Sequence, residues 1–316
     1  MKSSFMEAPI LDLTQVRKIY KGKVEALRGI SIEVPRDSIF GLLGPNGAGK
    51  STLVKILTTI IRPTECQGSM LGQPIGHKPT LARVGYLPEH ARFPSYLTGE
   101  QVIEYAAALS GVPRQRARER TAELLELVGM TDARERLIET YSKGMVQRIG
   151  FAQALVNDPE LVFLDEPTDG VDPAGRRDMR KLLLKLRDEG RTVFVNSHLL
   201  GELETVCDSV VILKEGRVVK QGRLDDLTRD SRRFEILTAE LIPAELAGKL
   251  REAGFAVESQ RVVVPGADPA PVQPVLDALR SGGVVITSVR QAQQSLEDLF
   301  LESVAGSAAS EQGDAA

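Results

Sequence analysis

The sequence predicts an α/β fold in two parts, and three observations carry that prediction. A short apolar run, Ser38-Ile39-Phe40-Gly41-Leu42-Leu43, leads into a glycine-rich loop and then a helix-like stretch from Lys50 to about Ile60. Two continuous apolar runs, Leu161–Leu164 and Thr192–Val195, read as strands buried on both faces, the pattern of a parallel sheet. Past the charged stretch from Asp226 to Arg233, strand and helix signals alternate again in a smaller module.

Taken in order, the chain opens in strands. Leu11, Leu13 and Val16 recur near every second position, and Ile30, Ile32 and Val34 alternate strictly before Pro35. The helix after the glycine loop is stopped by Pro63. From Leu97 to Leu137 the period turns helical. Val102, Ile103, Ala106 and Ala107, then Leu124, Leu125, Leu127 and Val128, suit two or three packed helices in a helical part over about 95–140. The basic run Pro113–Arg120 starts the second of these. A solvated helix face accounts for it, and a phospholipid-facing patch is the sharper alternative. Ser209–Leu213 and Arg217–Val219 flank Lys214-Glu215-Gly216 as a closing hairpin, which ends a first module over 10–225. In the second module, 232–304, Phe234–Leu237, Val262–Val264 and Val284–Ile286 read as strands, and 243–253 and 270–280 as helices. No acid–base or metal constellation stands out in it. The tail, 305–316, has too little apolar surface to order itself and is expected to be disordered.

Composition narrows the partners. The chain has 316 residues, 42% of them hydrophobic and 26% charged, enough for roughly two ordinary globular domains. Its net charge of −3 argues against a nucleic-acid surface, which shows as a basic excess. Two cysteines, Cys66 and Cys207, are too few for a disulfide framework or a zinc cluster. No stretch approaches the roughly 20 apolar residues of a membrane helix, and Met1–Glu7 lacks the apolar core of a secretion signal. The expectation is a soluble, cytosolic chain whose membrane path, if it serves transport, lies on another polypeptide.

The loop Gly44-Pro45-Asn46-Gly47-Ala48-Gly49-Lys50-Ser51-Thr52 fits the spacing G-x-x-x-x-G-K-[ST]. Its glycines let successive backbone N–H groups turn toward phosphate oxygens, and the helix that follows adds a positive dipole. Lys50 would contact the β- and γ-phosphates of a nucleoside triphosphate, the Ser51 hydroxyl would sit on Mg²⁺, and Thr52 would add a phosphate contact. Asp165 and Glu166 end the buried run at Leu161. Adjacent carboxylates at a strand terminus point different ways. Asp165 can therefore serve the metal through its water shell while Glu166 polarises the attacking water.

Just upstream stands Tyr141-Ser142-Lys143-Gly144-Met145. With Gly44–Thr52, Leu161–Pro167, Asp172 and His198 in this order, the chain resembles the ATP-binding subunits of ABC transporters over roughly residues 10–225. The resemblance implies a P-loop NTPase of ABC type with a helical subdomain, ATP and Mg²⁺ as ligands, and ATP hydrolysis by Lys50, Glu166 and His198. It places Tyr20 on the adenine, His198 at the γ-phosphate, and Asp172 in a loop communicating between two sites. Ser142 and Gly144 match residues that approach the γ-phosphate held by the opposite subunit. Ser142 can cap the following helix, whose dipole then faces that anion. Each ATP would be sandwiched in a homodimer or pseudo-dimer.

Two departures stand out. Lys143 and Met145 occupy positions where the commonest family pattern has Gly and Gln, a variant similar to bacterial exporter subunits. Glu89 stands where the family usually has Gln. It can still be a Mg²⁺ ligand beside Ser51 and Asp165, but it brings negative charge toward the γ-phosphate, so altered metal or coupling behaviour is expected. The C-terminal module with Ser295–Phe300 resembles that of subunits partnered with ABC-2 type export permeases. The resemblance thus implies a separate integral membrane permease and a peripheral place on the cytoplasmic face of the membrane. An import ATPase and a soluble ABC ATPase acting on ribosomes or DNA are the other readings. The chain has one phosphate loop, and the segment from Lys50 to Tyr141 leaves no room for long coiled coils.

Overall fold

The computed structural model describes residues 8–229, 233–266, 268–292 and 295–305. Met1–Glu7, and all of the tail 305–316 beyond Ala305, lie outside the described residues. The chain divides into two compact units, 1–222 and 223–316.

In the first unit, β1 (Leu11–Ile19) and β2 (Glu25–Val34) pair antiparallel, with Leu11 opposite Val34 and Leu13 opposite Ile32. After β3 (Ile39–Leu43) and α1 (Lys50–Leu57), β4 (Glu65–Met70) pairs with β1, and β5 (Gln73–Pro74) closes that sheet in the order β2-β1-β4-β5. The helix expected to reach Ile60 ends at Leu57, and the next residues turn: Thr59 adopts φ 59°. β6 (Val84–Leu87) precedes the helices α2 (Gly99–Leu109), α3 (Arg114–Leu127) and α4 (Lys143–Ala154). Thr98 and Gln101 cap α2 reciprocally. In the basic run, Arg116 and Arg120 pair with Glu119, Glu123 and Asp158, which favours the solvated-face reading.

The remaining elements of the unit are β7 (Leu161–Asp165), α5 (Pro173–Asp188), β8 (Thr192–Asn196), the short α6 (Leu200–Glu204), β9 (Ser209–Lys214) and β10 (Arg217–Arg223). They build a sheet ordered β10-β9-β3-β8-β7-β6, in which β9, β3, β8, β7 and β6 run parallel. Period-two geometry sorts its side chains. Phe40, Phe194 and Phe163 stand at one level on adjacent strands, their ring centroids 5.4 and 5.3 Å apart. They belong to one core with Leu53, Val54, Ile56 and Leu57 of α1 and the apolar faces of β1 and β2.

In the second unit, α7 (Leu224–Arg229) leads to β11 (Arg233–Thr238), α8 (Ala244–Glu252), β12 (Ala256–Glu258), β13 (Arg261–Pro265), α9 (Val272–Ser281), β14 (Ile286–Ala292) and α10 (Leu296–Ala305). The antiparallel sheet runs β12-β13-β11-β14. Ile236, Val262 and Val264 pack with Ala247, Leu250, Val275 and Leu279 of α8 and α9. Val284 and Val285, expected in a strand, precede it. β14 begins at Ile286 and continues through Arg290 and Gln291, because an exposed edge needs no apolar pattern. Its Arg290 and Arg261 of β13 hydrogen-bond the buried carboxylate of Glu235.

Candidate functional site

Parallel strands deliver their carboxyl ends to one edge of the sheet, and the sequence's polar residues cluster there. The glycine loop leaves β3, Glu89 follows β6, Asp165 ends β7 with Glu166 next, and Asn196 ends β8 with His198 two residues on.

The loop folds as its composition requires. Gly49 caps α1 at φ 103°, where a Cβ would sit 2.6 Å from the Ala26 carbonyl oxygen, so only glycine fits. No side chain caps this helix and no acid lies in its first turn. The N–H groups there can therefore serve an anion. The Lys50 ammonium donates to the carbonyls of Gly44 at 2.7 Å and Pro45 at 3.2 Å, which fixes it over the loop. Lys50 is 8% exposed. Burial lowers its pKa, and the carboxylates of Glu166, Asp165 and Glu89 pull it back up. The Tyr20 hydroxyl lies 3.4 Å from the Thr52 hydroxyl, and Lys18 stands 5.0 Å above the Tyr20 ring. The aromatic is thus beside the start of α1.

The two carboxylates do point apart. Asp165, 3% exposed, accepts from the Asn196 side-chain amide. Glu166, 9% exposed, accepts from His198 Nδ1 at 2.8 Å and the His198 N–H at 3.3 Å. Burial raises the pKa of both; Asn196 opposes the rise at Asp165, and His198 opposes it at Glu166. Glu166 has φ 51°, a left-handed conformation uncommon outside glycine, and its N–H donates to the Asn196 carbonyl at 2.8 Å. Asn196, absent from the sequence-based candidates, therefore touches both acidic residues. Its signal was a polar residue at the end of an apolar strand. Glu89 is close enough to raise Tyr86 and Asp165 and to stabilise the Lys50 cation.

The Ser142 element lies elsewhere in the unit. Ser142 caps α4, accepting from the Met145 N–H at 3.3 Å. Gly144 has open space where a Cβ would be. Among the described residues, neither hydrogen-bonds the loop 44–52. Lys143 pairs with Asp169 at 2.7 Å, and Gln147, buried, donates to the Glu166 carbonyl at 3.2 Å. Asp172 caps α5, accepting from the Gly175 N–H at 3.0 Å. Cys66 is half-buried and Cys207 buried, both as free thiols. Among the described residues no helix is long and apolar enough to cross a membrane.

Residues 27–169 match the ABC transporter family. An uncharacterized ABC transporter ATP-binding protein of Nostoc sp. is 40% identical over 95% of this chain and 95% of its own length. The daunorubicin/doxorubicin resistance ATP-binding protein DrrA of Streptomyces peucetius is 34% identical, covering 90% of this chain and 89% of that protein. The bacitracin transport ATP-binding protein BcrA of Bacillus licheniformis is 32% identical over 94% and 98%. Among solved structures, an ATP-binding subunit of an ABC transporter superposes with a TM-score of 0.64 at 28% identity, covering 70% of this chain and 92% of that one.

Proposed function

We propose, from the premise that this chain belongs to the ABC transporter family as an ATP-binding, ATP-hydrolysing subunit, that it closes on a second ATPase subunit around two ATP molecules and drives export through a separate membrane permease. The observation that carries the shared-site part is the start of α4. Its N-terminus is capped by Ser142 and its Gly144 faces open space, so this chain's own packing does not need a glycine there. A helix N-terminus with a small residue is fit to receive an anion from outside the chain. The export direction draws on the resistance and transport roles in the names of DrrA and BcrA.

In this reading Lys50 and the N–H groups at the start of α1 hold the β- and γ-phosphates, and Tyr20 stacks on the adenine. Oxygen donors suit Mg²⁺: the Ser51 hydroxyl, Asp165 and Glu89. The fit rests on Asp165, a buried carboxylate whose charge burial opposes and a cation would compensate. Among the described residues no three His, Cys, Asp or Glu side chains form a cage, and an ion held largely by phosphate and water needs none. Bound Mg²⁺ would neutralise charge developing on the phosphates. Glu166 accepts a proton from the attacking water, its raised pKa bringing it nearer the working pH. His198 orients that carboxylate through Nδ1, which leaves Nε2 for the γ-phosphate.

Glu166→Gln should lower hydrolysis by about 10²–10⁴-fold while ATP binding persists. The variant should also accumulate as a Mg-ATP dimer in sedimentation experiments and co-purify a permease from membranes. A strictly monomeric Glu166→Gln protein under saturating Mg-ATP would sink the shared-site reading.

A further inference from the structure

We propose that Lys143 is a positioning residue: its ion pair with Asp169 ties the exposed start of α4 to the turn carrying Glu166, so that closure over a second subunit's ATP is felt at Glu166 of the same chain. The inference rests on the shared-site reading above.

A lysine in this place needs an explanation. It is the first residue of α4, where the helix dipole disfavours a cation, and the first turn holds no acid to offset it. The side chain instead turns away to Asp169, with Nζ 2.7 Å from Oδ2. The pair also holds the Asp169 carboxyl below its ordinary pKa. Its aliphatic stem crosses Gly170, which has φ 70°; a Cβ there would lie 2.3 Å from the lysine Cδ and 2.7 Å from Cε. The lysine stem thus lies directly against the turn. The Asp169 N–H in its turn donates to the Glu166 carbonyl at 3.1 Å.

A second tether runs beside the first. Gln147, four residues on and so on the same helix face, donates to that same Glu166 carbonyl. Glu166, at φ 51°, holds a conformation that its surroundings must enforce. The body of α4 is anchored independently, since Arg148 donates to the Val128 carbonyl at 2.8 Å and pairs with Asp178 at 3.2 Å. Docking of the helix thus does not depend on Lys143, which leaves the lysine to register its tip against the Glu166 turn.

The test is a double-mutant cycle on steady-state ATPase activity, with dimerisation read in the Glu166→Gln background. Lys143→Ala and Asp169→Asn should each lower kcat about two- to fivefold, the range of an exposed ion pair, with KM for ATP and the urea midpoint unchanged. The double variant should lose no more than either single one, and Lys143→Arg should retain activity. Independent, multiplying losses would overturn the proposal. So would a loss in Lys143→Ala with full kcat in Asp169→Asn, the pattern of a lysine acting directly on the partner's phosphate. If Glu166→Gln itself stays monomeric with Mg-ATP, the shared-site reading and this inference fall together; if it dimerises and the cycle is additive, only this inference falls.

Discussion

Two helices of the first unit, α1 and α4, begin with a lysine, and their surroundings differ sharply. At α1 the capping residue is a glycine at φ 103°, and Lys50 is buried against loop carbonyls and surrounded by the charges of Glu166, Asp165 and Glu89. At α4 the cap is a serine, Lys143 is largely exposed, and Gly144 has nothing of its own chain before it. Both ends can attract anions by the same dipole. The first is walled by several carboxylates at strand ends of its own chain, whereas the second meets Asp169 through the Lys143 side chain. The difference lies in the walls, not in the helix.

The strongest way to break this comparison is Lys50→Ala. Loss of a buried charged donor to phosphate should weaken ATP binding by about ten- to a hundredfold in a fluorescence or calorimetric titration. An unchanged affinity would mean that the α1 end is no more specialised than the α4 end.

A smaller effect sharpens the description of the walls. Asp165→Asn should remove Mg²⁺-dependent hydrolysis yet raise the stability of the nucleotide-free protein by about 1 kcal/mol in scanning calorimetry. The sign follows from burial, which raises the pKa of Asp165 above its ordinary value. The folded state then binds the proton more tightly than the unfolded one. The charged form is a cost above the folded pKa, and that cost fades as pH falls through it toward 3.8. The gain from Asp165→Asn should accordingly shrink on acidification, and a gain that grew instead would show that Asp165 is not strained by its burial.

The smallest expected effect concerns α4. Gly144→Ala should stabilise the monomer by about 0.5–1 kcal/mol, because alanine is the better helix former and its methyl group meets no neighbour. The same change should weaken the ATP-driven dimer of the Glu166→Gln protein. A dimer left intact, beside a stabilised monomer, would remove the reason for calling this helix end a partner's wall.

The legible parts of the molecule are those whose physics is local. A strand, a glycine loop and a helix in sequence already specify the turn at Gly44–Thr52, and continuous apolar runs specify β7 and β8. Asp165 and Glu166 could be singled out because they close such a run, whereas His198 was marked only by the family resemblance. Asn196 could not be given its role, since contact with Asp165 depends on β8 lying beside β7 in register, across 31 residues of chain. Lys143 could be marked as a departure from a pattern, yet its partner Asp169 stands 26 residues away through a tertiary fold. The C-terminal strand β14 was displaced for another reason: half-exposed edges carry little periodic signal, so the apolar Val284-Val285 drew the assignment toward itself.

The row of Phe40, Phe194 and Phe163 has a consequence for moving parts. The three rings tie β3, β8 and β7 at one level beneath the start of the glycine loop and the strand ends that bear Asn196 and Asp165. They act as a common datum from which the three ends rise. In the proposed mechanism the candidate edge would travel as a unit.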